Sequence, residues 1–294
     1  MEEFEKHTAC IVCGKSEISP LRGYERHFLV KCSSCKMTFI ERIPSESELA
    51  AFYSKYAYSS DPWISPITIQ RYHELLDQLE VYRSTNRLMD VGCGAGHFLK
   101  VAKERGWEVY GSEFSPAAIE LCKSKGIHMF EGALSSKTAL DIDFDVVCSF
   151  EVIEHINNPI EDVGHIRRML RKGGLHYITT PSFNALSRYL LKADYNVIGY
   201  PEHLSYYTPR SLNYLLNQQG FRKLKCVTEG ISISRIQKSR KQGDFKLNSK
   251  AAPDEKLRER TESKPFWKLI KRLANWSFRI TGTGVTLKGW YVKF

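Results

Sequence analysis

The sequence predicts an α/β protein: a doubly wound, Rossmann-like sheet that ends in an antiparallel strand pair, preceded by a small cysteine-bearing module. Three observations predict it. From residue 87 onward, segments of strand and helix periodicity alternate; the first of those strands runs into a glycine-rich turn; and two C-x-x-C pairs stand within the first 35 residues.

The 294 residues are 42% hydrophobic and 12% aromatic, enough to bury an ordinary core. No apolar run approaches the length of a membrane span, and the start of the chain is acidic, so a cytoplasmic protein is expected. The net charge of +10 is unevenly placed: residues 221–294 hold 19 Lys and Arg against 6 Asp and Glu, and the rest is mildly acidic. A mildly acidic main body repels phosphate backbones, which argues against the simplest nucleic-acid reading.

The first element is the pair of knuckles, Cys10-Ile11-Val12-Cys13 and Cys32-Ser33-Ser34-Cys35, with 18 residues between them. Each knuckle aims two thiolates at one point, and two knuckles close a four-sulfur shell with no open position, which predicts a structural zinc. Two disulfides are the alternative and would need an oxidising compartment; the scattered Cys93, Cys122, Cys148 and Cys226 favour a reducing one. With strands expected at 21–30 and 37–40, residues 1–41 read as a zinc ribbon.

Residues 42–85 follow as a helical lead-in. Pro44 and the serines and acids after it mark one helix start, and apolar residues at Ile67, Tyr72, Leu75, Leu76 and Leu79 give a second helix over 66–82. Tyr53, Tyr56, Tyr58 and Tyr72 are expected to pack rather than to bind. The main domain, 86–236, then alternates strands at 88–91, 108–112, 127–130, 144–149 and 175–179 with helices at 96–105, 115–125 and 160–170. Such alternation predicts parallel strands joined by crossover helices, with ligands at the carboxyl ends near the switch in strand order.

At that place stands Leu88-Met89-Asp90-Val91-Gly92-Cys93-Gly94-Ala95-Gly96. A dinucleotide fingerprint needs its third glycine where His97 stands, so the match fails by one position. The spacing Asp90-x-Gly92-x-Gly94-x-Gly96 instead resembles the first motif of the class I S-adenosylmethionine-dependent methyltransferases, and the resemblance runs over about 87–221. A cationic cofactor without a pyrophosphate suits an acid at the strand end, and a bare backbone at the turn lets it approach. Glu113, ending the second strand, matches the family's ribose-binding acid, and Gly111-Ser112-Glu113-Phe114-Ser115-Pro116 resembles its usual setting. The resemblance therefore implies cofactor contacts from Asp90, Gly92, Cys93, Gly94, Gly96, Glu113, Phe114, Gly132, Ala133 and Phe150.

After the fourth strand, Phe150-Glu151-Val152-Ile153-Glu154-His155-Ile156 resembles the small-molecule members of this family, among them the O-methyltransferases of ubiquinone biosynthesis and several that modify sugars. A hydroxyl acceptor must lose its proton, and imidazole titrates near neutrality, so His155 is the candidate base, with Glu154 as its orienting partner or a substrate ligand. A histidine that merely caps a helix start is the structural alternative. The stretch from Tyr200 to Pro209 resembles the subgroup's P-E-H-x-x-x-(aromatic)-T-P segment, in which His203 is a second base, an acceptor ligand or a structural residue. Thr208-Pro209 marks the cap and first turn of a helix running to Gln219.

The strands at 221–229 and 286–293 are expected to close the sheet as an antiparallel pair, with 282–294 as its last element and 237–281 as a basic insertion between them. Residues 237–263 are polar and charged and read as mobile. Over 264–280, Phe266, Leu269, Ile270, Leu273, Trp276 and Ile280 fall at helical spacing beside Lys268, Lys271, Arg272 and Arg279, giving a helix that either packs on the sheet or lies on an anionic membrane surface.

These readings converge on a methyltransferase that uses S-adenosylmethionine, with a structural zinc and a small acceptor, most naturally a hydroxyl on a nucleotide- or lipid-linked sugar or glycan precursor. An RNA methyltransferase that uses the knuckles and the basic tail is the alternative from a different class, and a non-catalytic binding protein the second.

Overall fold

A computed structural model describes residues 4–53, 61–132, 142–232, 236 and 265–294. Its strands are β1 (Ile18–Pro20), β2 (Leu29–Cys32), β3 (Thr38–Ile40), β4 (Arg87–Val91), β5 (Glu108–Glu113), β6 (His128–Glu131), β7 (Phe144–Phe150), β8 (Leu170–Pro181), β9 (Ser205–Tyr206), β10 (Phe221–Glu229) and β11 (Thr286–Lys293). Its α-helices are α1 (Glu46–Tyr53), α2 (Pro66–Leu79), α3 (His97–Glu104), α4 (Pro116–Ser124), α5 (Pro159–Met169), α6 (Leu186–Leu191), α7 (Pro209–Gln218) and α8 (Pro265–Thr281).

Seven strands form the main sheet in the order β10-β11-β8-β7-β4-β5-β6. The five from β6 to β8 run parallel, while β11 lies antiparallel between β8 and β10. The parallel strands are covered on both faces, which is why β4 and β7 read as near-continuous apolar runs and not as alternations; every residue from Phe144 to Ser149 is buried. The chain leaves β4 toward β5 on one side and reaches β7 on the other, so the strand order reverses there and a crevice opens at the carboxyl ends of these two strands.

Local chemistry sets the helix starts. The Ser115 hydroxyl accepts from the Ala118 amide ahead of Pro116, and Thr208 and Ser211 form a reciprocal capping box around Pro209. Most expected helices fall within a residue or two of the observed ones, and the 66–82 helix ends as α2 plus a 3-10 turn at Glu80–Tyr82.

Two expectations need correction. The strand placed at 21–30 is instead a turn and a 3-10 helix at Glu25–His27 followed by β2, because Gly23 and Phe28 take left-handed backbone angles that a strand excludes. The strand placed at 175–179 is the middle of the longer β8, and α6 just after it was not foreseen. The expected mobile segment at 237–263 lies outside the described residues.

A second sheet, in the order β1-β2-β3-β9, is built on the cysteine knuckles. Its fourth strand comes from far along the chain: Phe39 pairs with Ser205 and Thr38 with Tyr206. Val30, Met37 and Phe39 share one apolar core with Met89, Val91, Ile153 and Leu212, so one face of this unit is docked against the main sheet, while Leu29, Ile40 and Tyr206 join Tyr24, Phe183 and Tyr195 in a cluster of their own.

Candidate active site

At the end of β4 the chain turns on Gly92, Gly94 and Gly96, whose φ angles are 65°, 53° and 71°. These are left-handed values that side chains resist. A Cβ on Gly92 would come within 2.8 Å of Val152 Cγ2, so that glycine also makes room for the segment after β7. A Cβ on Gly96 would meet Cys122 Sγ at 2.7 Å, a reason of packing.

Asp90 is buried just before the turn, and among the described residues its Oδ1 has no hydrogen-bond partner. Burial, then the Cys122 and Glu113 charges, push its carboxyl well above the usual range. A buried acceptor left without a donor at the mouth of a crevice is what a cationic ligand with N–H groups would satisfy. Tyr72 of α2, raised to about 12 by burial and by Asp90, packs on Phe98 and Phe150 beside it.

Glu113, at the end of β5, accepts from the Gly94 amide at 3.0 Å and from the Phe114 and Ser115 amides at 2.8 and 3.2 Å. It thereby fastens the glycine turn to the second strand, with carboxylate lone pairs to spare. Gly132, in a left-handed conformation, donates to the Glu113 carbonyl, and Phe114 stands exposed at the rim next to it. Cys93 and Cys122 lie under the turn with their sulfurs 3.9 Å apart. Asp90, Gly92, Cys93, Gly94, Gly96, Glu113, Phe114, Gly132 and Phe150 are thus gathered along one edge; Ala133 lies outside the described residues.

Along the same edge, β7 is followed by Glu151, a non-glycine residue at φ 54°, and a short 3-10 turn carries Ile153, Glu154 and His155. Glu154 is buried and accepts from the Thr180 hydroxyl at 2.9 Å. His155 Nδ1 lies 2.5 Å from the Glu202 carbonyl oxygen, and His203 Nδ1 lies 2.5 Å from the Val197 carbonyl oxygen. A carbonyl can only accept, so in each of these contacts Nδ1 is the donor. Burial lowers the pKa of His155 below its ordinary value, keeping it neutral at pH 7. One ligand atom from each of Glu154, His155 and His203 falls within 4.8 Å of the others.

The strap that brings His203 here is held by the cysteine-bearing sheet. Leu204 donates to the Glu154 carbonyl at 2.7 Å, Ile40 donates to the Leu204 carbonyl at 2.8 Å, and the Ser205 hydroxyl donates to the Ile153 carbonyl at 3.1 Å. Cys10, Cys13, Cys32 and Cys35 likewise gather their four sulfurs within 4.8 Å of one another, as free thiols.

Sequence reasoning missed Tyr72 as a neighbour of Asp90, Glu151 as a strained residue at the strand end, and the clustering of His203 with Glu154 and His155. Tyr72 sat among the apolar positions of a helix, where nothing distinguishes packing from lining. For Glu151 the signal is backbone strain, which a non-glycine residue does not announce.

A family model described as a methyltransferase domain matches residues 67–225, just over half of the chain. A ubiquinone biosynthesis O-methyltransferase from Mesorhizobium japonicum is 31% identical over 120 residues, covering 37% of this chain and 47% of that protein. One of the same name from Roseobacter denitrificans is 28% identical over 149 residues, covering 46% and 59%. The chain thus spans about half the length of the curated relatives it matches. A crystal structure of an S-adenosylmethionine-dependent methyltransferase from Archaeoglobus fulgidus overlays with a TM-score of 0.53 at 18% identity, covering 83% of this chain and 99% of that one, a likeness of fold. With the strand order and the crevice already established, the match over 67–225 shows that this chain belongs to the methyltransferase-domain family.

Proposed function

We propose that this protein transfers a methyl group from S-adenosylmethionine to a hydroxyl of a small polar acceptor, such as a sugar or glycan precursor. The observation that carries the reading is the neutral His155, whose Nδ1 meets the Glu202 carbonyl and whose Nε2 lies 4.0 Å from the buried Glu154 Oε1, on the turn that follows β7.

S-adenosylmethionine supplies an activated methyl on a sulfonium, so the chain's own groups position, exclude water and manage one proton. Asp90 meets the cationic end of the cofactor, Glu113 holds the ribose hydroxyls, and Phe114 with Gly132 borders the base. His155 Nε2 accepts the acceptor's hydroxyl proton, and Glu154, buried next to it, steadies the imidazolium that results. His203 orients the acceptor. The same proposal gives the N-terminal cysteines a structural zinc. Sulfur separations of 3.4 Å for Cys10 to Cys35 and 3.6 Å for Cys13 to Cys32 approach the roughly 3.8 Å edge of a tetrahedron with Zn–S of about 2.3 Å.

One observation favours a second reading of the proton step. Two histidines that hold Nδ1 against carbonyls within reach of a buried carboxylate are arranged as metal ligands commonly are, so Glu154, His155 and His203 could hold a divalent cation that acidifies the acceptor hydroxyl. The Mesorhizobium japonicum and Roseobacter denitrificans relatives are named as ubiquinone biosynthesis O-methyltransferases, which favours a small hydroxyl acceptor over RNA.

The test is transfer of labelled methyl to a panel of nucleotide sugars, glycan precursors and phenols, with the product's linkage read by mass spectrometry. An O-methyl product supports the proposal. Transfer to nitrogen, carbon or RNA instead, or none to any hydroxyl by protein that binds S-adenosylhomocysteine normally, sinks it. Restoration of activity by magnesium, manganese or zinc after dialysis selects the metal version over the free base.

A further inference from the structure

We propose that α8 and α6 form a docking surface for an anionic lipid bilayer, placed beside the carboxyl edge of the main sheet.

The first ground is an apolar stripe with nothing over it among the described residues. Phe266, Leu269, Ile270, Leu273, Trp276 and Ile280 are all exposed, five of them by more than half. At about 100° per residue these six span roughly 120° of the helix. The opposite side is anchored: the Phe278 carbonyl accepts from the Thr228 hydroxyl at 2.8 Å, and the Asn275 Oδ1 accepts from the Gly230 amide at 3.1 Å. The helix is therefore fixed with its apolar side outward, where water makes exposure of that size costly.

The second ground is charge. Residues 265–281 contain four Lys and Arg and no acid, and 237–264 add nine Lys and Arg against five Asp and Glu. On the wheel the exposed Arg272 borders one side of the apolar stripe, while Arg279 is paired with Glu229 on the anchored side; a helix with its apolar side between acyl chains would leave Arg272 among headgroups. A second copy of this chain would set two segments of net positive charge against each other, and a nucleic acid would leave the leucines and the tryptophan unserved.

The third ground is continuity and place. Leu186, Tyr189 and Leu190 of α6 are exposed too, and Leu186 and Leu190 join Ile231, Phe278 and Val285 around one apolar cleft that links α6 to α8. α6 follows directly on β8, whose last residue, Pro181, pairs with Thr286 at the start of β11. The surface therefore borders the edge at which β4 and β7 end, so a bilayer seated on it would hold an amphiphilic acceptor near the site.

The experiment uses the full chain and needs no methyl transfer: co-sedimentation with vesicles of equimolar phosphatidylglycerol and phosphatidylcholine, against phosphatidylcholine alone. The proposal expects partition onto the mixed vesicles at least about tenfold stronger, weakened by salt. The triple variant Leu269→Ser, Leu273→Ser, Trp276→Ser should lower it by at least about tenfold, with circular dichroism and S-adenosylhomocysteine binding unchanged. Arg272→Glu, which removes no apolar surface, should lower it as well. Equal partition onto both vesicles, or a triple variant that partitions like the parent, overturns the proposal. So does a solution dimer that the triple variant dissociates, or RNA binding that it abolishes.

Discussion

The imidazoles of His155 and His203 lie with ring centroids 4.8 Å apart, each holding its Nδ1 against a backbone carbonyl. Two loops from different parts of the chain thus bring two imidazoles together beside Glu154.

If His155 is the base, its state sets the acid limb of the rate profile. Its pKa is lowered by burial, so the neutral, active form should dominate from below pH 6.5 upward, and activity should fall only as the solution becomes more acid than that. His155→Gln should lower kcat by roughly 10² to 10⁴ and erase the limb. A limb centred well above 6.5, or one that survives the substitution, assigns the proton to another group.

Asp90 is a conflict between stability and binding. Its carboxyl is raised by burial, so as pH rises through its folded pKa the apo protein loses stability, and neutral Asn should remove that cost. Thermal unfolding should show Asp90→Asn at least as stable as the parent without ligand, while calorimetry shows S-adenosylmethionine bound at least about tenfold more weakly. Unchanged affinity would remove Asp90 from the cofactor's shell.

Gly92→Ala should act at a distance from its own backbone. The new methyl must displace Val152, whose Cγ2 would be 2.8 Å away, and Val152 leads directly into Glu154 and His155. Activity should fall at least about tenfold, together with a stability loss of about 1 to 2 kcal/mol from the left-handed backbone. A variant with normal kcat would show that the turn and the 3-10 segment move independently.

Chelation tests the cysteine cluster. Elemental analysis should find zinc bound, and Cys32→Ser should abolish it. Because β3 pairs with β9, loss of the metal should loosen the strap carrying His203, so methyl transfer and the melting temperature should fall together. Full activity in metal-free protein would confine the cluster to another role.

How far the chain announces itself is best seen in particular residues. The glycine turn, Asp90 and Glu113 were legible because they are local: strand periodicity, a turn that needs bare backbone, and an acid at the next strand's end all lie within short windows. The parallel run of the central strands followed from alternation, and the closing antiparallel pair from two late strands; the strand order itself came from the fold. Boundaries near Gly23 and Phe28 were not legible, since left-handed angles broke an otherwise strand-like run.

The sequence by itself determined which groups are present and which local elements carry them: the four N-terminal sulfurs, the bare turn, the neutral-range imidazoles and the amphipathic helix. Only the tertiary structure decided that Phe39 meets Ser205, that His203 reaches Glu154 and His155, and that the apolar stripe of α8 faces outward. The physical reason is range. Periodicity and capping act over a few residues, whereas strand pairing and core packing join segments far apart in the chain through contacts that no window of sequence contains.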